Sequence, residues 1–131
     1  MRITNLLKFP AMALALLMTS VSAHAVEGAM TYNSDAFQKA QQANKMIVVD
    51  VYKDGCGTCA KQKPALEAAR DKYPDAAFFR VDFANDKKAV KKFSAIKQST
   101  IIVFKGTEEK ARLLGETNQE KILAMIAKGE S

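Results

Sequence analysis

Short apolar runs alternate along the chain with stretches in which apolar residues recur every three or four positions. "MIVVDVY" (Met46–Tyr52), "AAFFRVDF" (76–83), "STIIVF" (Ser99–Phe104) and "ARLLG" (111–115) have strand length. They are rich in β-branched, aromatic or aliphatic residues, the composition of strands packed inside a domain. A further short strand is expected at Met30–Tyr32. Helical spacing is seen in "NSDAFQKAQQANK", where Ala36, Phe37, Ala40 and Ala43 share a face and Ser34 is the expected N-cap. "KPALEAARDKY" reads as a helix that carries Pro64, expected to kink it, and stops at Pro74. "NDKKAVKKF" reads as a short helix capped by Asn85 or Asp86. "TNQEKILAMIAKG" reads as a last helix with a T-x-x-E capping box from Thr117 to Glu120 and Gly129 as its stop. The order α, β, α, β, α, β, β, α predicts an α/β fold. Crossover-connected parallel strands come first, and an antiparallel hairpin turning at "KGTEEK" closes the chain. The result is a central mixed sheet of four to five strands with helices on both faces.

The N-terminus departs from this pattern. "MRITNLLKFP" carries Arg2 and Lys8 and no acid, an apolar run spans Ala11–Met18, and Ala23 and Ala25 form an A-x-A arrangement. That is the order of a secretory signal peptide, and its apolar run is too short to span a bilayer. Residues 1–25 are therefore expected to be a cleaved leader. Residues 26–131 are expected to form one domain, secreted or periplasmic, with no later segment apolar enough to span a membrane. Loss of Arg2 and Lys8 takes the formal net charge from +6 to +4, a mild basic bias that gives little reason to expect nucleic acid as a partner. His24, the only histidine, would leave with the leader. Histidine-based triads, general bases and metal ligands would then all be excluded.

The two cysteines, Cys56 and Cys59, stand in "DVYKDGCGTCAKQKP". A zinc site needs four ligands, and one such chain offers two. Haem attachment needs a histidine after the second cysteine, where this chain has Ala60. An inert disulfide closing two intervening residues would stabilise little. Reversible dithiol chemistry remains, and the position favours it. The pair follows a buried strand and opens a helix, so Cys56 faces unpaired N–H groups and the positive end of the helix dipole. Thiols in such places typically titrate at about 3.5–7.5. Lys53, Lys61 and Lys63 add positive charge. Cys59, one turn further in, is expected to be more sheltered, the asymmetry that exchange requires. Gly57 and Thr58 are small and would leave the attacking sulfur open to a protein substrate.

Asp50 is a carboxylate inside an apolar strand. It either reaches water at the strand end or lies buried below the cysteines, where desolvation would raise its pKa and fit it to exchange a proton with Cys59. Lys87, Lys88, Lys91 and Lys92 share a helical face. They read as a solvated surface in preference to a docking patch.

"VVDVYKDGCGTCAKQKPALEAARDKY" resembles the active-site segment of the thioredoxin family. Asp50 lies six residues before Cys56, the box is C-G-x-C, and Pro64 lies eight residues after Cys56. "TIIVFKG" and "LLGET" extend the likeness through Thr100, Phe104 and Gly115. The resemblance implies a thioredoxin fold with Cys56 as nucleophile, Cys59 as resolving thiol and Asp50 as buried proton carrier. It implies Gly57, Thr58, Ser99, Thr100 and Gly115 as the surroundings of the substrate chain. "AFQKAQQANKMIVVDVY" also looks like the start of periplasmic thioredoxin-like domains that take electrons from the cytoplasm, which would make a membrane protein the electron donor.

Three positions depart from the family pattern. Ser99 stands where the family has a cis-proline, and its peptide bond is expected to be trans because a non-proline cis bond costs roughly 2.5–4 kcal/mol. Gly55 replaces the aromatic residue before the first cysteine, and Tyr52 replaces a tryptophan. The lysine that accompanies the family's buried aspartate is expected to be replaced by Phe78. The prediction is a monomeric thiol–disulfide oxidoreductase without a cofactor, acting on protein thiols and disulfides. The absence of a helical insertion and of a histidine in the box lean it towards reduction. Two other classes stay open. One is a dimer holding a metal or iron–sulfur cluster through four thiolates, two from each chain, an option the unshielded Ser99 loop leaves available. The other is a redox-inert binding module with the same fold.

Overall fold

The computed structural model describes residues 29–131. The predicted leader, 1–25, lies outside the described residues. Five strands form one mixed sheet: β1 (Met30–Thr31), β2 (Met46–Tyr52), β3 (Ala77–Asp82), β4 (Thr100–Lys105) and β5 (Glu108–Leu114). Their spatial order is β1-β3-β2-β4-β5. β1 and β2 run parallel to β3, while β4 runs antiparallel to both β2 and β5. Helices α1 (Ser34–Gln42), α2 (Gly57–Lys72), α3 (Lys87–Lys92) and α4 (Gln119–Ile126) complete the element order, and α4 tightens into a 3-10 turn at Ala127–Glu130.

The twofold alternation of side chains along β2 and β3 divides the core into two layers. Ile47, Val49 and Val51 of β2 join Phe79 and Val81 of β3 on one face. There they meet Phe37 and Ala40 of α1, Ala89 of α3, and Phe93. Met46, Val48 and Phe78 point the other way, towards Ala65, Leu66 and Ala69 of α2 and Ile122 and Ile126 of α4. Every residue of β2 from Met46 to Val51 is buried, as expected of a central strand covered on both sides. Asp50 falls in phase with Met46 and Val48, which places it on the α2 face.

Several boundaries move by a residue or more from the sequence reading, each for a local reason. Asn33 rather than Ser34 caps α1, its side chain accepting the Ala36 N–H at 2.9 Å. Asp86 caps α3. Asn118 rather than Thr117 caps α4 and accepts the Lys121 N–H, while Glu116 takes the Thr117 and Asn118 N–H groups, so the expected Thr117–Glu120 box does not form. Gly129 does not stop α4 but lies buried in the 3-10 turn. The hairpin turn is confined to Gly106–Thr107, and Glu108–Lys110 of "KGTEEK" belong to β5. The strand predicted from Ser99 starts at Thr100, and α2 continues through Pro64 to Lys72.

Candidate active site

The chain leaves β2 at Tyr52 and turns through Gly55, whose φ of +75° is one a side chain would strain. It then enters α2 at Gly57 with Cys56 as the N-cap. At that position the first turn of the helix offers N–H groups with no carbonyl partner. Cys56 Sγ accepts one of them, the Cys59 N–H, at 3.1 Å. Cys56 and Cys59 are joined in a disulfide with their Cα atoms 5.3 Å apart. Both residues are half-buried, Gly57 beside them is exposed and Thr58 is half-buried.

Beneath the disulfide lies a cleft of about 550 Å³ lined by Asp50, Tyr52, Cys56, Cys59, Arg70 and Arg80, among others. Lys53 and Lys63 are at its rim, whereas Lys61 is not part of it. The Asp50 side chain is only 12% exposed. Burial pushes its carboxyl above the ordinary carboxylate range; the Arg80 charge and hydrogen bond, and then Arg70, pull the other way without cancelling the rise. Of the two readings of Asp50, the structure shows the buried one.

The partner of Asp50 corrects the sequence reading. In the parallel register of β2 and β3, Asp50 lies opposite Arg80, while Phe78 lies opposite Val48 and belongs to the apolar layer. Arg80 donates from Nε to Asp50 Oδ2 at 3.3 Å, and its guanidinium lies 3.6 Å from the centre of the Tyr52 ring. A cation therefore does accompany the buried aspartate. Phe78 stands two residues before Arg80 on the same strand, and the register of β3 against β2 decides which of them meets Asp50.

Ser99 and Thr100 are buried, and Gly115 is exposed with φ +73°. No cis peptide bond occurs among the described residues, so the Gln98–Ser99 bond is trans as expected. Ser99 has φ +59°, a left-handed conformation rare for a residue with a side chain. Its carbonyl accepts the Gly115 N–H at 2.9 Å and Gln62 Nε2 at 3.1 Å, and Gln62 Nε2 also reaches the Glu116 carbonyl at 2.9 Å. Gln62 is wholly buried in α2. The sequence reading passed over it, although a signal existed: it lies three residues before Ala65 and four before Leu66, a polar residue on an apolar helical face.

Lys87, Lys88, Lys91 and Lys92 are exposed, and Lys87 folds back to the Phe83 carbonyl at 2.8 Å. Among the described residues no group of three or more His, Cys, Asp or Glu could hold a metal ion, and no helix is long and apolar enough to cross a membrane.

The family model described as Thioredoxin matches residues 28–128. The chain is 29% identical over 94 residues to a thioredoxin H-type of Fagopyrum esculentum, covering 72% of this chain and 80% of that protein. Among solved structures, Trxlp from Edwardsiella tarda superposes with a TM-score of 0.71 at 30% identity, covering 76% of this chain and 98% of that one. Fasciola hepatica thioredoxin superposes with a TM-score of 0.66 at 27% identity, covering 78% of this chain and 99% of that one.

Proposed function

The chain belongs to the thioredoxin family and is a thiol–disulfide oxidoreductase, and from that premise we propose that it is exported and works chiefly as a reductant of protein disulfides. The observation that carries the reading is Cys56 at the N-cap of α2, its sulfur already accepting a backbone N–H, above a cleft it shares with Asp50. The same donor would hold the sulfur as a thiolate in the reduced protein.

In the proposed cycle the Cys56 thiolate attacks one sulfur of a substrate disulfide. A mixed disulfide forms, and the other substrate sulfur leaves as a thiolate. Cys59 gives its proton to the Asp50 carboxylate and attacks Cys56 Sγ. The Cys56–Cys59 bond closes and the second substrate sulfur leaves. Two electrons have passed from the chain to the substrate, and a dithiol donor must return them. The chemistry runs on the two sulfurs and one carboxylate and calls for no cofactor. Desolvation suits Asp50 to this role because it brings a carboxyl closer to the range in which it both takes and returns a proton.

Export is inferred from the residues 1–25 pattern, and the compartment from the resemblance to periplasmic relatives. Sequencing the N-terminus of the protein recovered outside the cytoplasm should give Val26. The redox reading is tested by insulin reduction. Cys56→Ser should abolish it, and Cys59→Ser should accumulate mixed disulfides. Wild-type activity in both variants would overturn it. The direction is read from the equilibrium potential against glutathione: a value near or below that of the cytosolic glutathione pool supports a reductant, and a value well above it an oxidant.

A further inference from the structure

Gln62 has a side-chain amide at 0% exposure inside an otherwise apolar helix face. Its Oε1 has no hydrogen-bond partner, a net destabilisation that an apolar residue of the same length would avoid. Its Nε2 is fully used, bound to the carbonyls of Ser99 and Glu116. Two carbonyl acceptors fix which end of the amide faces them.

These two carbonyls belong to different segments. Ser99 ends the loop that leads into β4, and Glu116 lies just past the end of β5; the Gly115 N–H closes the gap by binding the same Ser99 oxygen. Gln62 is one helical turn beyond Cys59, so the helix that carries the disulfide is bolted through one amide to both segments. Ser99 needs such a restraint. Its φ of +59° is disfavoured for a residue with a Cβ, and nothing in a serine fixes φ as a proline ring would. Its own hydroxyl reaches only the Gln98 carbonyl beside it.

We propose that Gln62 is a positioning residue for the protein substrate: it clamps Ser99 and the Gly115–Glu116 turn against α2, one helical turn from Cys59, and thereby sets the surface that a polypeptide meets on reaching the sulfurs. The proposal rests on the oxidoreductase reading above. It separates two things that reading leaves joined, the reactivity of the sulfurs and the fit of a polypeptide around them. A small disulfide needs only the first.

The test compares insulin with a small aromatic disulfide, 5,5′-dithiobis(2-nitrobenzoate), on the exported protein, residues 26–131. Gln62→Met keeps length and apolar volume and removes both N–H bonds. KM for insulin should rise at least about threefold with the loss of these two hydrogen bonds, and the rate with the small disulfide should fall less than about twofold. Adding Ser99→Gly to Gln62→Met should bring KM back to within about twofold, because glycine adopts a positive φ without a clamp. An unchanged insulin KM in Gln62→Met overturns the proposal, as does a parallel fall with both substrates or a failure of Ser99→Gly to restore KM. Loss of activity on both substrates in the unsubstituted protein would instead overturn the oxidoreductase reading. If Gln62→Met does not fold, NMR of the native protein decides. Slowly exchanging Gln62 amide protons with cross-peaks to residues 99 and 116 support the clamp, and fast exchange overturns it.

Discussion

Phe37 is the side chain on which the docking of α1 depends most. Only Phe37 and Ala40 of that helix are buried, and Phe37 is 2% exposed. Its ring lies edge-on or tilted to four others: 5.8 Å from Tyr32, 5.7 Å from Phe79, 5.2 Å from Phe93 and 5.5 Å from Phe104. Phe37→Ala removes the ring and leaves a cavity where α1, α3 and the sheet meet. Burial at this level puts the cost at about 3–5 kcal/mol. With a shift of roughly 4–8 °C per kcal/mol for a domain of about 100 residues, the melting temperature should fall by at least about 12 °C. Phe37→Leu keeps much of the volume but loses the edge-to-face contacts with the neighbouring rings, and should cost clearly less than Phe37→Ala. Urea unfolding of the oxidised protein, with m-values compared, measures both. The cluster lies across the sheet from α2, so insulin reduction measured where the variants remain folded should stay within about twofold of wild type. A loss below about 1 kcal/mol for Phe37→Ala would refute the reasoning, because α1 would then not be held to the sheet by this ring.

Asp50→Asn should stabilise the fold in a pH-dependent way. A raised native pKa means that the wild type is favoured while Asp50 is protonated and loses stability as pH climbs from the ordinary carboxyl value of 3.8 through the raised one, so the gap between variant and wild type should open over that interval and then level off; a gap that narrows with rising pH would contradict the assignment. The same variant should slow insulin reduction by removing the proton acceptor. Arg80→Gln takes away the cation that holds the Asp50 carboxyl down, so the pH at which insulin reduction reaches half its plateau should move upward, and a downward shift would exclude that role. Gly129→Ala would place a Cβ 2.7 Å from Val103 Cγ1 and 2.9 Å from Met46 Cγ, so thermal melting should show a loss of about 1–3 kcal/mol, where an exposed helical glycine would have gained.

The pattern of apolar runs made the sheet and its covering helices legible, because burial on both faces leaves a near-continuous signal in β2 and β4. Asp50 was legible as a carboxylate in a position where an apolar residue belongs, and the cysteine pair by its spacing at the start of a helix that follows a buried strand. What stayed hidden depended on pairing across the chain. Arg80 is identified only once β3 is laid against β2, because a two-residue slip in register would exchange it for Phe78. Gln62 meets residues 37 and 54 positions away, which no local window contains. The N-caps moved because Asn33 and Asn118 compete with neighbouring Ser34 and Thr117, and all four residues suit that position. Ser99 was read correctly as a trans residue, but its left-handed backbone and its restraint by Gln62 belong to the folded loops.

The outer strand β5 has one further consequence. It presents an open row of backbone groups at the edge of the sheet, and a protein that handles partly unfolded, disulfide-linked chains would meet many strands ready to zip onto it. Glu108 with Lys110 and Glu109 with Arg112 line that border with fixed charges, and the register slips between Val103 and Phe104. An incoming strand would have to strip water from those ions and match an irregular ladder. An edge guarded in this way resists the addition of a further strand, so that a chain brought close to the sulfurs finds little on β5 to pair with.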